Sequence, residues 1–313
     1  MKRILIVNNA KVKCGVHQYG RNFYQAVRDS KKYKFGYIES TCLKDITTAL
    51  DRGHPSAVIF NYYPITMPWV TSAFTQRLPL PCLGTFHEVT QAEADALDGS
   101  LFSTHLCLDP DVKENNPRVK ALGRIVPAYE NNFPVPEIPT FGAFGFGPRD
   151  QGYERVVNKV QEEYDEAVIR IHLPENDVVD PGGRHYANST AEHCRRLIRK
   201  SGIQLEISHE FMSKQGLMDY LAKNTANCFF RDPVPKKGKS SALDFGIAVQ
   251  RPILLTKCSM YSHVSKVTPS PYIEDRTIKE IVSSGFEPFS QYLKLWSEEQ
   301  FRKRIEAILH SVV

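Results

Sequence analysis

Residues 141–164 read FGAFGFGPRDQGYERVVNKVQEEY, and this stretch limits the possible folds more than any other. Its first six residues, small and aromatic, suit a buried strand. The chain breaks at Gly147-Pro148 and resumes at Gly152. Tyr153, Val156, Val157, Val160 and Tyr164 then fall at i, i+3, i+4, i+7 and i+11, which gives a helix one apolar face. A strand that enters a helix through a glycine-rich turn leaves the first N–H groups of the helix unpaired at the positive end of its dipole. Such an end suits a phosphate or diphosphate. Arg149 and Arg155 add positive charge nearby. A plain βα turn, in which glycine only permits the bend, accounts for the same letters.

The alternation runs through the whole chain. Residues 4–7 form an unbroken apolar run of the kind found in central parallel strands covered on both faces. Further strands are expected at 34–38, 57–61, 80–86, 105–108 and 125–127, with helical or turn-rich segments at 41–52 and 67–76. Strands at 167–171, 203–208, 226–230 and 252–256 follow the central stretch. Short apolar strands alternating with helices predict an α/β fold built on open, mostly parallel sheets. Residues 131–139, NNFPVPEIP, hold three prolines and no periodicity, and read as a stiffened linker. Two Rossmann-like domains are therefore expected, at 1–136 and 137–288. A C-terminal helical segment at 289–313 follows, its helix running from about Glu298 to Leu309.

In open α/β sheets, ligands bind beyond the carboxyl ends of the strands. Asn8-Asn9, Tyr62-Tyr63 and His87-Glu88 sit at such ends. The last pair puts an imidazole and a carboxylate just past a buried strand; a lone histidine is more often structural than catalytic, and the strand-end position narrows that gap. After the first strand, Gly15 opens a helix whose Val16, Tyr19, Phe23 and Val27 share a face. Lys11, Lys13, His17 and Arg21 make that corner basic. Asp109-Pro110-Asp111 has the D-x-D form of metal-dependent sugar transferases, but reads as a turn after a strand. Ser189 and Glu192 have capping-box spacing for a helix running to about Lys200. In residues 231–251, RDPVPKKGKSSALDFGIAVQR, Ser240 and Ser241 read as the cap of a further helix, whose start has the hydroxyls and N–H groups to hold part of a phosphorylated ligand. Lys236 and Lys237 read as solvated loop charges.

Composition narrows the setting. No apolar run reaches the roughly 18 residues of a membrane span. The apolar run at the amino end is too short for a secretory signal. Seven cysteines, widely spaced and without a C-x-x-C pair, fit a reduced cytoplasmic compartment better than a disulfide framework or a zinc site. A net charge of +5 allows an anionic partner without requiring one.

Two α/β halves, GVHQYGRNF after the first strand, TFHE at a strand end, FGFGPRDQGYERV opening the second half and SSALDFGIAVQRPILLT near its end together resemble a GT-B fold glycosyltransferase of the retaining family four, or group one. The resemblance implies two Rossmann-like domains facing across a cleft. A nucleotide diphosphate sugar would sit on the second, and a saccharide, lipid-linked or other hydroxyl acceptor on the first, to which the last segment returns. No cofactor or metal is implied. Carried over by residue, His87 is the histidine near the reacting sugar and Gly15 the glycine loop beside the diphosphate. Arg149 contacts the donor phosphates at the Gly147, Gln151 and Gly152 turn, and Ser240 and Ser241 mark the late helix start. Two departures stand out. Gln151 replaces the usual lysine, and the paired glutamates of the late helix are absent, with Asp244 the only acid near. The implied activity is sugar transfer to a hydroxyl, with retention. Two other readings keep the fold: a transferase that glycosylates modified bases in DNA, compatible with the lysine-rich loops, and a non-catalytic nucleotide-sugar-binding relative, suggested by the departures.

Overall fold

Residues 4–9 are all buried in the computed structural model, and the strand they belong to, β1 (Lys2–Asn9), is covered on both faces as its apolar run requires. Ile4 and Ile6 pack with Phe23 of α1 (Gly15–Val27) and with Phe301, Ile305 and Leu309 of α11 (Glu298–Val312). Leu5 and Val7 face the other way, toward Ile46 of α2 (Leu43–Gly53) and Phe102. The structure describes all residues except 148, 177, 179, 181–183 and 234–237, and every side chain among them but that of Arg149.

The chain divides into two units. The first takes Met1–Ile125, a short stretch ending at Lys239, and Trp296–Val313; the second runs from Val126 and includes Ser240–Leu295. In the first unit, β2 (Tyr33–Ser40), β3 (Ala57–Phe60), β4 (Cys82–Phe86), β5 (Thr104–Cys107) and β6 (Val119–Ala121) join β1 in one sheet of order β2-β1-β3-β4-β5-β6. Every pairing in it is parallel. The short helices α3 (Ser72–Thr75) and α4 (Gln91–Ala96) lie between strands. The edge strand forms at Val119–Ala121 rather than at the expected 125–127, where Pro127 lacks the N–H a ladder needs.

The second unit holds β7 (Thr140–Phe144), α5 (Tyr153–Glu163), β8 (Ala167–His172), α6 (His185–Leu197), β9 (Ile203–Ser208), α7 (Lys214–Ala222), β10 (Ala226–Phe229), α8 (Ala242–Ala248), β11 (Ile253–Leu255), α9 (Ile278–Ser283) and α10 (Ser290–Leu295). Its sheet is parallel, in the order β11-β10-β7-β8-β9. The apolar face of α5 packs as its spacing predicts, with Tyr153, Val156, Val157 and Val160 buried against Phe141, Ile169 and Cys194. Helix α6 starts five residues earlier than a cap at Ser189 implies, with Arg184 at the N-cap. The Asp180 carboxylate accepts from the Tyr186 N–H at 2.8 Å and caps the first turn, leaving Ser189 and Glu192 inside the helix. The proline-rich stretch is tied to the second unit. Buried Arg251 donates to the Phe133 and Pro134 carbonyls at 2.6 and 3.0 Å and to that of Ala222 at 2.8 Å, and Asn131 donates to the Val249 carbonyl at 2.8 Å.

Each sheet reverses its winding once. In the first, the chain passes from β1 out to β2 and then returns to β3 on the other side; in the second it passes from β7 out to β8 and β9 and returns to β10. The carboxyl ends of β1 and β3, and of β7 and β10, therefore flank the crevices where an open α/β sheet binds ligands.

Candidate functional site

At the β1/β3 crevice three side chains form one wired unit. Asn8, at the end of β1, donates through Nδ2 to the His17 carbonyl at 2.9 Å. Asn61, just past β3, donates through Nδ2 to the Val16 carbonyl at 2.7 Å and to Asn8 Oδ1 at 2.8 Å. Carbonyls only accept, so both amides have one permitted orientation, and Asn61 Oδ1 is left as an acceptor. His87 Nε2 lies 2.9 Å from that oxygen. The network thus assigns the proton to Nε2 and the lone pair to Nδ1. Burial, with the Arg124 guanidinium second, pushes the His87 imidazole down to about 3, so it stays neutral near pH 7. Tyr19 meets its ring edge-on, centroids 5.2 Å apart.

The sequence builds this wiring locally. Helix α1 comes down onto the two asparagines at Gly20, where a Cβ would fall 2.5 Å from Asn8 Cγ and 2.6 Å from Asn61 Nδ2. No larger residue fits without parting the amides. Gly15 begins α1 in an exposed position, and Cys14 before it makes no side-chain cap bond. Asn8 also donates to the Tyr37 hydroxyl at 2.9 Å, which in turn donates to Glu39. Two residues from the second half of the sequence belong here. Gly238 lies so near the His87 carbonyl that a Cβ would come within 1.9 Å of it, and Lys239 pairs with Asp109 at 3.0 Å. Asp109 accepts from the Asp111 N–H at 2.9 Å, the turn geometry its sequence predicts.

The β7/β10 crevice is made differently. Its wall includes the backbone of residues 145–147 and 149–152, with a single 3₁₀ turn at Arg149–Gln151. Gly147 abuts α6, where a Cβ would stand 2.5 Å from the Ala187 nitrogen, and Thr190 Oγ1 donates to the Gly147 carbonyl. Gly152 holds φ +70 and faces the Phe230 carbonyl at 2.5 Å from its missing Cβ, so glycine is required there twice over. It is the N-cap of α5 and offers no side-chain acceptor, which leaves the first turn of an 11-residue helix without one from its cap. Gln151 folds back, its Oε1 only 3.0 Å from where a Cβ on Gly145 would be. Arg155 is committed to two carboxylates, Asp232 at 3.5 Å and Glu274 at 3.0 Å.

Arg231, directly after buried Phe230 at the end of β10, reaches this wall. Its side chain is 15% exposed and its guanidinium lies 3.9 Å from Asp150 of the 3₁₀ turn. The buried Thr256 hydroxyl accepts from its N–H at 2.7 Å and donates to its carbonyl at 2.8 Å, and the Asp232 N–H bonds the Asp150 carbonyl at 3.1 Å. Its guanidinium and the Ser240 hydroxyl also hydrogen-bond the buried Tyr261 phenol.

The late helix start departs from its expected part. Helix α8 has seven residues, Ser241 stands at its N-cap without a side-chain cap bond, and the Ser240 N–H is already bonded to the Met260 carbonyl at 3.2 Å. One of the donors that sequence spacing assigns to a ligand, the Ser240 N–H, is thus engaged by a tertiary contact. Asp244 is buried in the first turn of α8. The Arg149 side chain, and Lys236 and Lys237, lie outside the described residues. Asn61 and Arg231 carry no signal in the sequence beyond being polar residues at the ends of apolar strands. Among the described residues, no three His, Cys, Asp or Glu side chains gather as a metal site, and no helix is long and apolar enough to cross a membrane.

No family model and no curated protein matches the sequence. Solved structures match over its whole length. HepE from Anabaena, in complex with UDP-glucose, is similar with a TM-score of 0.68 at 9% identity, covering 99% of this chain and 100% of that one. The lipopolysaccharide outer core galactosyltransferase WaaB gives 0.60 at 12%, and trehalose-6-phosphate synthase from E. coli bound with UDP-2-fluoro glucose gives 0.62 at 10%, each covering 100% of both chains. A further structure of a trehalose-6-phosphate synthase concerns glycosyl transfer with retention. These neighbours are GT-B glycosyltransferases, and the two parallel sheets with their alternating helices carry the same fold across the full length of this chain.

Proposed function

We propose that this protein is a retaining glycosyltransferase that moves a sugar from a nucleoside diphosphate to a hydroxyl acceptor. The observation that carries the reading is the whole-length likeness to enzymes solved with UDP or UDP-sugars. The second unit supports it with a glycine-walled turn into α5 at a switch point, the arrangement that takes a diphosphate. As the bond between the anomeric carbon and the diphosphate opens, its electron pair stays with the diphosphate, the acceptor oxygen joins the carbon, and the acceptor's proton passes to the departing diphosphate oxygen. Charge therefore grows on the leaving group. The N–H groups of the turn and the Arg149 charge meet it, and fixed donors of this kind supply a large part of such catalysis. His87, neutral with its lone pair on Nδ1, accepts a hydrogen bond from a sugar or acceptor hydroxyl. The diphosphate is held by N–H groups and guanidinium, so turnover is expected to persist in EDTA.

A thermal-shift screen with UDP, GDP, ADP and their sugar conjugates tests this directly, because a ligand that binds the native state raises its melting temperature by mass action. The expected result is a shift with one nucleoside diphosphate, followed by its release from the matching sugar conjugate when acceptor is added. No shift with any of them overturns the reading; a shift without release or transfer reduces it to a binding protein.

A further inference from the structure

The turn that faces the donor lacks a cation at Gln151, whose neutral side chain is folded back over Gly145. Of the arginines on either side in sequence, the Arg149 side chain lies outside the described residues and Arg155 is held by Asp232 and Glu274. Topology supplies another. The crevice between β7 and β10 has two rims, and Arg231 follows the carboxyl end of β10 after one residue, Phe230. Its backbone is clamped by Thr256 from both sides, and the next residue is bonded to the turn itself through Asp150. The side chain is mostly shielded, which leaves it little room to wander. Tyr261 accepts one of its N–H groups, and its carboxylate neighbour stands at 3.9 Å, beyond hydrogen-bond length. A guanidinium has five donors in a planar fork matched to phosphate oxygens, and it stays charged at any working pH.

We infer that Arg231 is a donor-binding residue of this site and contributes, from the end of β10, the positive charge that the turn lacks at Gln151. The inference rests on the donor reading above and assigns the diphosphate half of that donor to a named side chain. Arg231 engages phosphate oxygens and leaves the base and ribose to other residues.

The test separates charge from packing. Arg231→Gln keeps most of the stem and a donor for Tyr261 but loses the charge, and UDP and uridine serve as probes with and without the diphosphate. UDP affinity is expected to fall about tenfold to 100-fold, as loss of a charge-assisted bond implies. Uridine binding, followed by ligand-observed NMR, is expected to stay unchanged, and so is the melting temperature without ligand. Arg231→Lys should retain part of the affinity. Placing the cation back in the turn, with Gln151→Lys on the Arg231→Gln background, should recover about tenfold of what was lost. Unchanged UDP affinity in Arg231→Gln, or UDP and uridine weakened alike, overturns the assignment while the donor reading stands. A variant that unfolds, with Arg231→Lys equally unfolded, assigns Arg231 to the packing of Tyr261 and overturns it too. Failure of the unsubstituted protein to bind UDP, GDP or ADP brings down the donor reading and this inference with it.

Discussion

At the β1/β3 crevice the polar groups are side chains that hold one another, buried Asn8 to buried Asn61 to half-buried His87, each fixed by a carbonyl of α1 or by its neighbour. At the β7/β10 crevice they are backbone: a turn set by Gly147 and Gly152, with one arginine brought in from the adjacent strand. The two crevices occupy equivalent positions in two similarly wound sheets. The difference separates two jobs. A side-chain network fixes the direction of a hydrogen bond, here the lone pair of His87, and makes fold and site inseparable. A backbone turn presents N–H groups whatever the side chains do, so its affinity for an anion is tuned by charges that can change without harm to the fold.

If that division holds, the largest effect belongs to His87. His87→Ala should lower turnover about 100-fold or more while leaving UDP affinity nearly unchanged, the signature of a group felt at the reacting centre and absent from donor binding. Equal losses in both would place His87 in donor binding and erase the contrast. Next comes Asn61→Ala, which takes a donor from the Val16 carbonyl, one of two donors from Asn8 Oδ1, and the acceptor from His87 Nε2. It should cost about 2–3 kcal/mol in urea unfolding, since buried unsatisfied groups cost about 1–3 kcal/mol each. Ser240→Ala, at the other crevice, should cost about 1 kcal/mol or less by the same measurement. Comparable losses would mean the second crevice is wired as tightly as the first.

The pH dependence sharpens the same point. The His87 imidazole is pushed down to about 3 by burial and Arg124, from an ordinary value of 6.5. Between those values the unfolded chain binds a proton that the folded chain refuses, so stability is whole above about 6.5 and falls as pH drops toward 3. His172 in the second unit, pushed down to about 4 by burial and the nearby His209, adds a slope of the same sign. Unfolding of the His87→Gln variant across this range should show a shallower fall than the unsubstituted protein. An unchanged slope would mean that His87 titrates freely. Gly152→Ala follows in size. Its φ of +70 and the Phe230 carbonyl both oppose a Cβ, so a loss of about 1–3 kcal/mol is expected in the same unfolding assay.

Much of this was readable before any coordinates. The unbroken apolar run at residues 4–7 reads as a strand covered on both faces, and the break at Gly147-Pro148 before an amphipathic repeat marks the turn into α5. His87 was visible because an imidazole just past a buried strand is chemically conspicuous. Asn61 and Arg231 were not, because a polar residue at a strand end is also how any loop begins. Their importance depends on β3 lying beside β1 and β10 beside β7, which is a fact of strand order and leaves no local mark. The early start of α6 was hidden for a related reason: its cap comes from Asp180, across a loop, and the residue at the N-cap itself makes no such bond. Ser241 illustrates the converse, a residue with capping chemistry at a helix start whose side chain makes no cap bond.

The smallest expected effect probes the charge balance of the second crevice most finely. Asp150 stands in the turn, 3.9 Å from Arg231, and its carboxylate does two opposed things to an arriving diphosphate. It repels the anion, and it draws the guanidinium toward the turn. The pair is part-exposed, so its coupling is in the range of about 0.2–1 kcal/mol typical of such contacts. A diphosphate carries more charge than the carboxylate and competes for the same guanidinium in the same place, so repulsion is the larger of the two terms. Asp150→Asn keeps the shape and the backbone carbonyl that bonds Asp232. It should therefore tighten UDP binding by about twofold to fivefold in titration calorimetry at low salt, with the gain shrinking as salt screens it. Weaker binding would instead make Asp150 the holder of Arg231, and would mean that the second crevice, like the first, depends on one side chain fixing another.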